Sequence, residues 1–195
     1  MTVEVDLKGL GSLDAFFSGV GDRAERAEPL AVSNASRWAR SEASRQIRSQ
    51  VNFTVSYLND AGRLERVIKS GGKEASITGR HRATSLANPV FNKTQPFFGR
   101  PKKGAKVRVR VTKRGPGHTF TGAFFLPLKN GNVGLAVRTP DGRPPSAGAK
   151  PIFGGAAHLL YGPSVGQVAF DVFPDIAPEV GDRFGTEFLR QMERR

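Results

Sequence analysis

Three histidines, His81, His118 and His158, are the residues best suited to metal ligation or general acid–base work, and they lie far apart in the chain. No HExxH or comparable ligand spacing surrounds them, and with no cysteine the chain has no thiolate ligand, disulfide or sulfur nucleophile. No G-x-S-x-G elbow, P-loop or dinucleotide fingerprint occurs either. The sequence therefore predicts no catalytic residues, no metal, no cofactor and no enzymatic activity.

The chemistry that the residue types do offer is electrostatic. The chain carries 30 Lys and Arg against 17 Asp and Glu, a formal net charge of +13. Residues 37–114 hold 19 of those bases against four acids, whereas residues 1–28 and 171–195 are mildly acidic. A balance of this kind favours acidic partners: nucleic acid, anionic membrane or acidic protein surfaces. Its sharpest expression is residues 106–112, KVRVRVT, where Val107, Val109 and Val111 alternate with Lys106, Arg108 and Arg110. That alternation predicts a strand with one apolar and one cationic face. Lys102, Lys103, Lys113 and Arg114 flank it. Such a face can attract phosphates without reading bases, can dock an acidic neighbouring subunit, or can simply charge an exposed edge against aggregation. Aromatic residues are not interleaved with the strand, which argues against a single-strand stacking module of the OB type, and no helix-turn-helix or zinc-finger spacing is present.

Stepping outward along the chain, residues 2–7 alternate as a short strand, and Ser12 is placed to cap a helix carrying Leu13, Phe16, Phe17 and Val20. Residues 29–50 give the clearest helix, with Pro29 in its first turn and Val32, Ala35, Trp38, Ala39, Ala43 and Ile47 on one stripe. Arg37, Arg40, Arg45 and Arg48 lie outside the stripe, as a solvated face or an electrostatic contact surface. Residues 63–69 and 74–78, joined through Ser70-Gly71-Gly72-Lys73, predict a β-hairpin. Residues 87–105 form a Pro/Gly-rich loop with Phe91, Phe97 and Phe98 as candidate anchors. Residues 119–128 and 133–139 predict two strands joined through Lys129-Asn130-Gly131-Asn132. Phe124 and Phe125 must point to opposite faces, one into the core and the other toward a covering helix or a neighbouring subunit. After a flexible loop over 140–150, Val165, Val168, Ala169, Val172 and Phe173 share a helical face, Pro174 and Pro178 interrupt it, and a terminal helix follows.

This order predicts a single α+β domain over 1–195: an antiparallel β-sheet with a long N-terminal amphipathic helix packed on it and C-terminal helices. Its parts are a helical segment (1–62), a β-rich basic core (63–139), a loop and LYGPS turn (140–164) and C-terminal helices (165–195). The N-terminus lacks a basic stretch followed by an apolar run, and the longest apolar stretches are too short to span a bilayer, so a soluble chain without a membrane partner is expected.

Several of these segments, in this order, resemble the bacteriophage minor tail protein Z (tail-completion) family: NASRWARSEASRQIRSQ, RLERVIKSGGKEASITGRHR, GHTFTGAFFLPLKNGNVGLAVRT and PIFGGAAHLLYGPSVGQV. The likeness covers residues 13 to 192 and departs from the family pattern at residues 153–158, FGGAAH, which are smaller and richer in Gly and Ala. The resemblance implies a virion protein made in the host cytoplasm that completes the head-proximal end of a tail. Its partners would be the terminator, tail tube or connector, and it would help position the DNA end. It also implies a homo-oligomer, a ring that in related folds is typically six-fold. Tyr161, Gly162, Pro163 and Ser164 would form either a partner-binding corner or a rigid turn into the last helices. The alternative class is a stand-alone, sequence-nonspecific nucleic-acid-binding protein.

Overall fold

The computed structural model describes residues 22–60, 62–93, 98, 106–129, 131–139, 141–146 and 148–193. The elements run α1 (Asp22–Gln50), α2 (Val55–Asn59), β1 (Leu64–Lys69), β2 (Glu74–Gly79), β3 (Thr84–Ser85), β4 (Lys106–Val109), β5 (His118–Thr121), β6 (Ala123–Pro127), β7 (Val133–Arg138), β8 (Lys150–Ile152), β9 (Ala157–Leu159), β10 (Tyr161–Gly162) and α3 (Val165–Met192). The fold is α+β, with every strand pairing antiparallel. Among the described residues the strands form a four-stranded antiparallel sheet, β6-β7-β9-β8, and three two-stranded ribbons. The expected strand at 2–7 and the helix after Ser12 lie outside the described residues. The chain divides into two compact units: residues 1–47, 58–81 and 165–195 make the first, and residues 48–57 and 82–164 the second.

In the first unit, α1 lies against the β1–β2 hairpin. Ala31, Val32, Ala35, Ala39, Ala43 and Ile47 are buried at three- and four-residue steps, as its periodicity demands. The helix begins seven residues before Pro29, so this proline sits inside the helix and not in its first turn. Of the arginines outside the stripe, Arg37 and Arg45 are exposed, Arg45 pairing with Glu42, while Arg40 is half-buried, its Nε donating to the Leu64 carbonyl (3.2 Å) and its terminal nitrogen to Asn59 Oδ1 (2.9 Å). From the hairpin, Arg66 donates to Ser36 Oγ (3.1 Å).

The C-terminal segment is one 28-residue helix, not two helices broken by proline. Pro174 and Pro178 are both exposed and one turn apart, so the backbone bonds they delete fall on the solvent side, where water can serve the freed carbonyls. Val172, Phe173, Ile176, Val180, Phe184 and Phe188 carry the buried stripe straight past them. The helix enters beside β2, where Gly166 N donates to the Arg80 carbonyl (2.9 Å). A Cβ on Gly166 would lie 2.6 Å from the Gly79 carbonyl oxygen, and one on Gly79 would lie 2.9 Å from Gly166 Cα. Strand and helix backbones touch here because neither residue has a side chain.

Between the middle of α1 and the C-terminal part of α3, Asn34 Nδ2 donates to Glu187 Oε1 (2.7 Å), and the Arg183 guanidinium lies 4.2 Å from the centre of the Trp38 ring. Hydrogen bonds from Arg190, above all, with Gln191 and Asn34, hold the Glu187 carboxyl down to about 2. A depressed carboxyl stabilises the fold above its unfolded-state value and loses that contribution as pH falls through its folded value. Urea midpoints of the native chain should therefore drop between about pH 4.5 and pH 2. In Glu187→Gln this part of the drop should be absent, and a variant with an unchanged acid limb would refute the linkage.

In the second unit, Phe125 and Leu135 of the four-stranded sheet are buried. Phe124 faces the other way and is covered by the Arg138 guanidinium, 5.5 Å from the ring centre. The strand expected over 119–128 is two strands, β5 and β6, broken at Gly122, whose φ of +73° only glycine adopts freely. The sequence reading also missed β8 and β9. Their loop repeats the backbone of the β1–β2 loop: Ser70-Gly71-Gly72 has φ values of 53°, 65° and 101°, and Phe153-Gly154-Gly155 has 51°, 66° and 94°. Both loops leave an extended residue and close on a right-handed helical one.

Candidate nucleic-acid interface

The second unit concentrates the charge of the molecule. Its described residues include 12 Lys and Arg and a single acid, Asp141. The unit itself therefore cannot neutralise its cations, and all but the half-buried Arg48 are exposed. Lys102 and Lys103 belong to the same sequence run but lie outside the described residues. In the first unit, by contrast, acids answer bases, as in the Lys73–Glu28, Arg63–Asp60 and Arg183–Glu179 pairs.

The β4–β5 ribbon carries the densest part of this surface. Strand β4 is shorter than predicted, but its alternation holds, with Lys106 and Arg108 exposed and Val107 and Val109 buried. Lys106 stands opposite Thr121 and Arg108 opposite Thr119, so two cations and two hydroxyls share one outer face, and all four residues are exposed. Beyond the strand, Arg110 NH2 donates to the Lys113 carbonyl (3.0 Å), and Lys113 and Arg114 stand exposed in the turn. The Arg108 side chain lies across Gly117, where a Cβ would come within 2.6 Å of its Nε. The structure thus brings Lys106, Arg108, Arg110, Lys113 and Arg114 onto one ribbon.

That ribbon is held from behind by backbone. Val51 bridges Thr112, Asn52 N donates to the Val111 carbonyl (2.8 Å), and the Asn52 side-chain amide donates to the Arg110 (2.9 Å) and Thr112 (3.2 Å) carbonyls. Lys113 N donates to Gln50 O, and Arg110 N to Phe91 O (both 2.9 Å). Phe91 in turn packs on Phe53, and Phe53 stacks on Tyr57 at 5.0 Å. The result is a row of cations on a fixed backbone, free of carboxylates, with hydroxyls opposite two of them. Chemically it can bind successive phosphates, contacts that position a protein on nucleic acid without carrying sequence information.

The other predicted site residues sit elsewhere. Tyr161 and Gly162 form β10 against β3, and Gly162 is packed so closely on Phe91 and Leu86 that a Cβ would meet them at 2.9 and 3.0 Å. Ser164 is fully buried, leaving Tyr161, Gly162 and Pro163 half exposed. Lys150 Nζ lies 5.7 Å from the centre of the Tyr161 ring. His118 is exposed and edge-on to Phe120, while His158 is buried with Nδ1 2.7 Å from Thr139 Oγ1. Among the described residues no three His, Asp or Glu side chains are grouped so as to hold a metal, and no helix is long and apolar enough to cross a membrane. In the first unit, an open depression of about 390 Å3 is lined by Arg37, Arg40, Asp60, Glu65 and Arg66, a mixed set with no excess of one sign comparable to the ribbon's.

Arg138, Arg143 and Lys150 lie beyond the basic run at 37–114, and no alternation of cations marks them in the sequence. A count of acids finds them: residues 82–164 contain Asp141 and no other. No family model, curated protein or solved structure matches the chain.

Proposed function

We propose that the chain is a structural subunit of a bacteriophage tail, of the tail-completion kind, whose second unit lies against the DNA path by sequence-independent phosphate attraction. The observation that carries the DNA-facing part is the surface of 12 described cations with one acid, arrayed in part on the fixed β4–β5 ribbon. Phosphate contacts of this kind position a protein on nucleic acid without reading sequence. The tail assignment is supported by the resemblance of four ordered segments to the minor tail protein Z family. In this reading the terminator, tail tube or connector are the neighbours and the chain acts as a homo-oligomer, with a ring as the natural closure. Strand β1 pairs with β2 on one side and carries the exposed Val67 and Ile68, which supports a contact between copies there. Catalysis has no place in the proposal.

Mass spectrometry of purified particles tests it: the chain should be recovered in stoichiometric amount with tail proteins. Intact, infectious particles lacking it would refute the tail role. The same charge surface supports a second reading, a stand-alone nucleic-acid-binding protein, which would bind DNA equally well but be absent from particles.

A further inference from the structure

The two loops with matching backbone provide an internal comparison. Each begins with a non-glycine residue at positive φ, Ser70 at 53° and Phe153 at 51°. That region is uncommon for any side chain and an outlier for a bulky one. The Ser70 loop demonstrates that the turn does not need an aromatic ring. Nor does the ring serve the interior: Phe153 is 71% exposed, the most exposed large apolar side chain among the described residues. An aromatic ring is thus held out from the surface in a backbone that disfavours it. Outliers that persist at such positions point to use.

The tip is also firmly mounted. Thr139 N donates to Ala156 O (3.1 Å), Thr139 Oγ1 contacts Gly155 O (3.3 Å) and His158 Nδ1 (2.7 Å), and both Thr139 and His158 are buried. The charged side chains of the strands β7 and β8 are Arg138 and Lys150, both cationic. Ala157 pairs with Arg138 on one side and with Ile152 on the other, so the loop begins one residue beyond the level of Arg138. Lys150 lies on the same short strand as Ile152. A flat apolar ring exposed on a unit whose described residues hold 12 cations and one acid matches a partner that combines negative charge with flat apolar faces. A nucleobase on its phosphate backbone has both. A lipid surface also offers anions and apolar matter, but it has no flat π-face to stack against one fixed ring.

We propose that Phe153 is a base-stacking residue: it packs on an unstacked base of single-stranded nucleic acid while Lys and Arg of the same unit hold the phosphates. This rests on the nucleic-acid reading given above and adds the chemical class of the ligand.

The test uses the full chain and three probes: oligodeoxythymidine, the same-length abasic oligomer with its phosphates intact, and heparin. In Phe153→Asn, a residue tolerant of this backbone region, affinity for oligodeoxythymidine should fall about tenfold while heparin and abasic affinities change by less than about twofold. In Phe153→Trp, emission above the Trp38 background should be quenched by oligodeoxythymidine and not by the abasic oligomer. Equal quenching by both, no quenching by either, or a parallel loss of heparin binding in Phe153→Asn would overturn the stacking role. So would a blue shift with anionic phosphatidylglycerol vesicles in place of quenching by DNA. A native chain that binds neither heparin nor DNA would remove the underlying charge reading, and the stacking role with it. Heparin binding without base dependence would remove the stacking role alone.

Discussion

Replacing Lys106, Arg108 and Arg110 together with Gln should weaken binding to random-sequence duplex DNA by about 100-fold at 0.1 M salt and flatten the slope of log K against log salt by up to about 2.7. The size follows from counterion release, in which each phosphate neutralised contributes about 0.9 to the slope. The substituted side chains are exposed, and Gln can stand on the outer face of a strand, so the ribbon should persist. Arg110 is the one with a structural bond of its own, to the Lys113 carbonyl. Losing it costs about 1 kcal/mol and leaves the backbone bonds from Asn52 and Phe91 in place. The control is Arg37→Gln with Lys69→Gln, which removes exposed cations from the first unit. An equal loss in the control would mean that net charge, and not the ribbon, sets affinity. An unchanged slope in the triple variant would mean that the ribbon faces protein.

The largest effect on stability should come from Gly166→Ala, a loss of about 3 kcal/mol read from urea midpoints at neutral pH. The added methyl would lie 2.6 Å from the Gly79 carbonyl oxygen and 2.9 Å from the His81 ring, and a backbone oxygen cannot swing aside as a flexible side chain can. To admit the methyl, α3 must move away from β2, lengthening the 2.9 Å bond from Gly166 N to Arg80 O. The comparison is Gly181→Ala, on an exposed face of the same helix with nothing within 4 Å of the new carbon. It should stabilise the chain by up to about 1 kcal/mol, since glycine disfavours helix interiors. If both substitutions behaved alike, the close approach of strand and helix would not matter to the fold.

What the sequence reveals depends on whether a residue's surroundings are local. The stripe from Val32 to Ile47, the alternation in KVRVRVT and the turn at Ser70-Gly71-Gly72-Lys73 each write their own structure, because the periodicity or turn chemistry lies within a few residues. The prolines of α3 mislead for the opposite reason. Pro174 and Pro178 weaken the helix locally, and what carries it past them is the buried stripe from Val165 to Phe188, a tertiary effect. Strands β8 and β9 are three residues each and become strands by pairing with one another and with β7, so neither has a pattern of its own.

The candidate interface was half legible. Lys106, Arg108, Arg110, Lys113 and Arg114 follow from sequence, since a strand alternates its faces. The backbone ties from Gln50 and Asn52, more than fifty residues away, do not. Arg138 and Lys150 stand exposed on β7 and β8 of the same unit, outside the basic run, and the exposed ring of Phe153 sits at a positive φ that its own residue type disfavours. The scarcity of acids from 82 to 164 was readable throughout, and it is the signal that links these residues.

Lysine acetylation footprinting of the full chain, with and without random-sequence DNA, measures directly whether the second unit is the binding surface. Lys106, Lys113, Lys129 and Lys150 should become protected, while Lys69 and Lys73 of the first unit keep their reactivity. Protection spread evenly over both sets, or confined to Lys69 and Lys73, would contradict the account.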